Sequence, residues 1–158
     1  MATVNTLTPI PHSASALAPE SSAIRVIVVD DTPSMLQALT FIMGRDPRLE
    51  IVGKAMNGAA AVSLATTQHP DLIVMDVTMP VMNGLAAAVR IKRLCPSTRI
   101  IMVSADDHVQ TALAAMDCGA DGFIPKRNFH RDYHRHIRRL FPAQTIGDGS
   151  PAAPVGNV

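Results

Sequence analysis

"LIVMDVTMP", residues 72–80, is an apolar run that ends on the carboxylate of Asp76. Short apolar runs bounded by turn-forming residues read as strands covered on both faces. A carboxylate closing such a run is costly unless it shifts its pKa, finds a partner or holds a metal. The pattern recurs along the chain. "IRVIVVD" (24–30), "LEIVGKA" (49–55), "DLIVMD" (71–76), "RIIMVSA" (99–105) and "DGFIPK" (121–126) read as strands. The intervening segments "TPSMLQALTFIMG" (32–44), "GAAAVSLATTQ" (58–68), "GLAAAVRIKRLC" (84–95), "DHVQTALAAMDCG" (107–119) and "FHRDYHRHIRRLF" (129–141) read as helices. In the first helix Met35, Leu39, Ile42 and Met43 recur at helical spacing, and Pro33 suits a first helical turn. Pro70 and Pro96 close the second and third helices, and Gly119 stops the fourth. Strict alternation of apolar strands and helices predicts an open, doubly wound, five-stranded parallel α/β sheet. In such sheets ligands bind beyond the carboxyl ends of the strands, at a topological switch point.

Composition narrows the function classes. The chain has 158 residues, 47% of them hydrophobic and 17% charged, which suits one domain with a substantial core. The expected domain covers 23–142, with 1–22 a disordered tail and 143–158 a disordered tail or linker. The net charge of +1 names no partner, and one Tyr with no Trp leaves little for stacking on bases, so direct nucleic-acid binding is not expected. Cys95 and Cys118 lack CxxC spacing and read as buried, reduced thiols. No apolar run approaches the ~18 residues of a membrane helix, and residues 1–22 lack the features of a secretory signal, so a cytoplasmic location is expected.

The strand ends collect polar groups at one rim: Asp30 and Asp31, Asp76, Ser104 and Lys126. Each has a bland reading by itself. Asp30 and Asp31 can cap the next helix, Asp76 and Ser104 can cap turns, and Lys126 can be a solvated surface residue. Together they make a different proposition. Clustered carboxylates raise one another's pKa, and a divalent cation relieves the conflict. Hard oxygen ligands on loops suit Mg²⁺. A carboxylate nucleophile with a cation, a lysine and a hydroxyl suits the oxygens of a phosphoryl group.

These residues carry a resemblance. "VVDD" (28–31), "DVTMPVMNG" (76–84), "VSA" (103–105) and "GADGFIPK" (119–126) resemble the receiver domains of two-component response regulators, over about residues 24–141. The resemblance implies a flavodoxin-like (βα)5 fold with strand order 2-1-3-4-5. It implies that Asp76 accepts a phosphoryl group from a histidine kinase or phosphotransfer protein. Mg²⁺ would be held by Asp31, Asp76 and the backbone carbonyl of Thr78, with Asp30 acting through a metal-bound water. Lys126 would pair with the phosphoryl group or Asp76, Ser104 would bond the phosphoryl oxygens, and Phe123 would rotate inward on activation. Met79, Pro80 and Gly84 would shape the loop after the acceptor. The switched face would comprise the fourth helix, fifth strand and fifth helix, meeting a downstream protein or forming a homodimer on phosphorylation. One residue departs from the pattern: Arg127 follows Lys126 where most members have Pro, so no cis bond is expected there.

Two rival readings share parts of this site. One is a Mg²⁺-dependent, aspartate-nucleophile phosphohydrolase, whose "DxD" after the first strand is replaced here by "DDTPS". The other is the receiver fragment of a DNA-binding regulator. The receiver reading carries the expectation that the chain is no enzyme beyond its own phosphorylation and dephosphorylation. The last helix has a core stripe of Phe129, Tyr133, Ile137 and Leu140. It also has a basic stripe of Arg131, Arg135, Arg138 and Arg139, with His130 and His134 four apart. That stripe reads either as a solvated face or as a docking face for an acidic partner or second receiver.

Overall fold

The computed structural model describes residues 22–145; most of the two expected tails lies outside them. Five strands, β1 (Ile24–Val29), β2 (Leu49–Ala55), β3 (Leu72–Asp76), β4 (Arg99–Ser104) and β5 (Gly122–Pro125), alternate with five α-helices. The helices are α1 (Pro33–Gly44), α2 (Gly58–Gln68), α3 (Gly84–Leu94), α4 (Val109–Asp117) and α5 (Phe129–Leu140). All strand pairs are parallel, and the order is β2-β1-β3-β4-β5, as expected. The register of β1 on β2 shifts between Val26 and Ile27.

The sheet separates two apolar layers. Alternate residues of each strand point to opposite faces, so β3 sends Ile73 and Met75 into one layer and Leu72 and Val74 into the other. The first layer is closed by α2, α3 and α4 through Ala61, Ala65, Ala87, Ala88, Ile91 and Ala115. The second is closed by α1 and α5 through Leu39, Met43, Phe129, Tyr133 and Ile137. Small residues on α2 and α3 let those helices approach closely. A Cβ on Gly58 would come 2.9 Å from the Ala87 Cβ, closer than side chains tolerate. Both helices have asparagine caps: Asn57 accepts from the Ala60 amide at 2.9 Å and Asn83 from the Ala86 amide at 2.8 Å.

Two sequence-based bounds shift for local reasons. The fourth helix begins at Val109, not at residue 107. Asp106 takes the His108 amide at 2.9 Å and the Thr111 hydroxyl at 2.7 Å, which holds the preceding residues in a turn. The fifth strand stops at Pro125, paired with Ser104, the last residue of β4; Lys126 opens a 3-10 turn, Lys126–Asn128. Cys95 and Cys118 are free thiols but only half-buried. No cis peptide bond occurs among the described residues.

Candidate functional site

The parallel sheet delivers the carboxyl ends of β1, β3 and β5 to one rim. Asp30 follows β1 directly and is fully buried, and Asp76 is the last residue of β3 and 4% exposed. Asp31 is half-buried beside them. The three carboxylates bring oxygens within 4.8 Å of one another. Lys126, from the turn after β5, places Nζ 2.6 Å from Asp30 Oδ2 and 3.3 Å from Asp76 Oδ2. The Asp30 contact is an ion pair, because that buried oxygen has no hydrogen bond of good geometry. The other Asp30 oxygen accepts the Thr32 amide at 2.9 Å, which turns the chain into α1.

The electrostatics follow from the head count: one ammonium, paired with Asp30 and Asp76, stands beside three clustered carboxylates. Burial pushes the Asp76 carboxyl upward; Lys126 pulls it down and the neighbouring Asp30 charge pushes it up again, leaving it above the ordinary carboxylate value. Burial also works against the Lys126 ammonium, but its contacts with Asp30 and Asp76 outweigh that and hold its pKa raised. Lys126 is therefore a fixed positive charge at neutral pH.

The loop after Asp76 is tightly folded. The Gly84 amide donates to the Val77 carbonyl at 2.8 Å, and a Cβ on Gly84 would collide with the Asp76 carbonyl. Met79 is buried and Thr78 exposed, with the Thr78 amide donating to the Asp76 carboxylate. Ser104 ends β4 at the same rim, but its Oγ accepts the Asp106 amide at 3.1 Å and is turned toward the α4 loop. Phe123, on β5, is half-buried and packs on the first apolar layer. The structure thus gathers Asp30, Asp31, Asp76 and Lys126, and leaves Ser104 and Phe123 beside them. Arg127, notable in the sequence only as a departure, pairs with Asp107 and ties the loops after β4 and β5 together. Only knowledge of which loops meet at the rim could have found that pair.

The donor set fits a small, hard divalent cation. Three carboxylate oxygens converge, one of them on a residue open to solvent that leaves room for water ligands. Among the described residues, no helix is long and apolar enough to cross a membrane.

Comparison with known proteins agrees with this fold. The chain is 41% identical over 106 residues to a protein-glutamate methylesterase/protein-glutamine glutaminase of Aliivibrio fischeri, covering 66% of this chain and 28% of that protein. It is 40% identical over 121 residues to a protein of the same description from Methanosarcina mazei, covering 75% and 34%. The chain therefore spans about a third of the length of these curated relatives. Their names correct the expectation that the protein is no enzyme: the relatives are enzymes by name, although the similarity lies in one part of them. Among solved structures, the response regulator domain of Thermotoga maritima CheB superposes with a TM-score of 0.68 at 31% identity, covering 84% of this chain and 99% of that one. The model of the response regulator receiver domain matches residues 26–138, and this chain belongs to that family.

Proposed function

We propose that the domain, residues 23–142, accepts a phosphoryl group on Asp76 in a two-component relay. The observation that carries this reading is the Lys126 ammonium seated between Asp30 and Asp76, with Asp31 beside them. An oxygen of the Asp76 carboxylate attacks phosphorus, the P–N bond of a phosphohistidine breaks, and the imidazole leaves with the bonding pair and takes up a proton. Lys126 is placed to stabilise charge on the transferred group. Asp30, Asp31, Asp76 and the Thr78 carbonyl would hold Mg²⁺, which when bound neutralises the carboxylates and the phosphoryl oxygens. The donor would be a histidine kinase or phosphotransfer protein.

The output surface in this reading is the face of α4, β5 and α5. Val109, Leu113 and Met116 are exposed there beside the half-buried Phe123 and the exposed Arg135. On phosphorylation Ser104 would exchange the Asp106 amide for a phosphoryl oxygen, and Phe123 would turn inward. A near-complete switch of a two-state face requires about 5.5 kcal/mol of differential stabilisation.

The test is labelling with a small phosphodonor and Mg²⁺. One hydroxylamine-labile phosphoryl group per chain is expected, absent in Asp76→Asn and absent without Mg²⁺. Full labelling of Asp76→Asn would remove Asp76 from the mechanism. Repeated turnover of simple phosphate esters would favour the aspartate-nucleophile hydrolase instead.

A further inference from the structure

The opposite rim of the sheet, at the amino ends of β1 and β2, carries a groove of about 1030 Å³. It lies between the end of α1, the Arg45–Arg48 turn and one side of α5. Four guanidinium groups border it: Arg45, Arg48, Arg131 and Arg138. Its floor is apolar, made by Ile42 and Tyr133, with Phe41 64% exposed at its edge.

The charges are unevenly matched. Among the described residues Asp46 is the one carboxylate in the lining, and Arg48 engages it at 2.6 Å. Arg131 pairs with Asp132 on the outer surface. Arg45 and Arg138 have no carboxylate partner among the described residues, and Arg45 lies over the Phe41 ring, 5.6 Å from its centroid. Among the described residues, two arginines without a carboxylate partner thus flank an apolar strip. Guanidinium forks match carboxylates bidentately, while an apolar strip demands an apolar partner. Single-stranded nucleic acid fits less well, because it wants several stacking faces and Phe41 is the one exposed Phe or Tyr ring among the described groove residues.

We propose that this groove docks an acidic protein segment, whose carboxylates meet Arg45 and Arg138 while an apolar side chain lies on Phe41 and Ile42. The groove is at the rim remote from Asp76, so docking leaves the acidic cluster accessible and does not depend on the function proposed above.

His134 offers an internal reporter. It faces Asp46, with Nδ1 3.6 Å from Oδ2. Burial lowers its pKa; Asp46 pulls upward, and Arg48, Arg138 and His130 push it further down. Arg45 and Arg131 border the same groove. A carboxylate arriving among these cations would raise the His134 pKa.

The experiment is an NMR titration of the full chain with a short synthetic peptide of glutamates flanking Leu and Phe, and with its lysine counterpart. The acidic peptide should shift Phe41, Arg45 and His134 signals, raise the His134 pKa and bind less tightly as salt increases. The lysine peptide should do none of this. R45E/R138E, which changes two exposed side chains, should weaken acidic-peptide binding at least about tenfold, with an unchanged melting curve. Asp76→Asn should bind as the wild type does. Equal binding by R45E/R138E, no binding of the acidic peptide at millimolar concentration, tighter binding of an oligonucleotide, or self-association through this groove would each overturn the proposal.

Discussion

The two rims of the sheet treat their carboxylates in opposite ways. At the amino ends Asp46, Asp71 and Asp121 each precede a strand, and each has its own donors. Asp46 is gripped by the Arg48 amide and guanidinium, and Asp71 accepts the Arg25 amide at 2.8 Å. Asp121 takes Lys92 at 2.7 Å, Arg99 at 3.2 Å and the Ile100 amide at 2.9 Å. At the carboxyl ends, Asp30, Asp31 and Asp76 cluster, and the one ammonium beside them, Lys126, contacts Asp30 and Asp76. The carboxyls of Asp46 and Asp121 accordingly lie below the ordinary value and that of Asp76 above it. Arg48 is the main cause for Asp46. For Asp121 burial pushes upward but is outweighed by Lys92, the Ile100 amide and Arg99. Where donors outnumber carboxylates the charge is compensated within the fold; where carboxylates outnumber donors it is left under-compensated, which supports the cation and phosphoryl reading proposed above.

The largest break in this contrast should come from Lys126→Ala. Without its ammonium the acidic rim has no resident positive charge, and phosphoryl transfer to Asp76 should slow about 100-fold, read as the initial labelling rate with Mg²⁺ present. A smaller effect, but on stability, should come from Asp121→Ala. It leaves Lys92 without its carboxylate in a half-buried site, and urea unfolding should show a loss of about 2–3 kcal/mol. Asp76→Asn should act in the reverse direction and stabilise by about 1 kcal/mol, because it removes a buried charge with too few partners.

The pH dependence separates the two kinds of carboxylate. The folded-state pKa of Asp76 is raised from 3.8, so the native state holds its proton more tightly than the unfolded chain. Stability therefore falls as pH rises from 3.8 through that raised value, and the advantage of Asp76→Asn should disappear in acid below this window. The folded-state pKa of Asp121 is lowered from 3.8, so its contribution is complete above that value and fades as pH falls through the lowered one. The smallest effect belongs to Arg131→Ala. Its guanidinium is 74% exposed and its pair with Asp132 lies at the surface, so the melting midpoint should not move.

Much of the carboxyl rim was legible in the sequence. Continuous apolar runs mark strands buried on both faces, and a polar residue at the end of each run has to emerge at one edge. That is why Asp30, Asp76, Ser104 and Lys126 read as neighbours from the sequence itself. The amino rim was not. Asp46 with Arg48, Asp121 with Lys92 and Arg99, and the groove under α5 depend on how far long side chains reach between loops distant in sequence. No periodicity encodes that reach. The basic stripe of α5 was visible, but its division was not: Arg131 and Arg138 border the groove with α1, whereas Arg135 and Arg139 line a hollow with Phe123 and Met116. The start of α4 was misplaced for a related reason. Asp106 is as good at holding a turn as at opening a helix, and its hydrogen bonds to His108 and Thr111 decide the matter.

The central place of β3 also separates timescales. Its five residues are buried and bonded to β1 on one side and β4 on the other, so their amide protons should exchange with deuterium only when the whole domain opens. Thr78 and Lys126 sit on loops around the same carboxylate, where exchange through local opening should be far faster. Asp76 thus closes a strand expected to open only with the whole domain, beside loop residues expected to open locally. A phosphoryl group taken up there, as proposed, would then reorder the loops on a timescale of about microseconds to milliseconds while the strand that carries it stays in place.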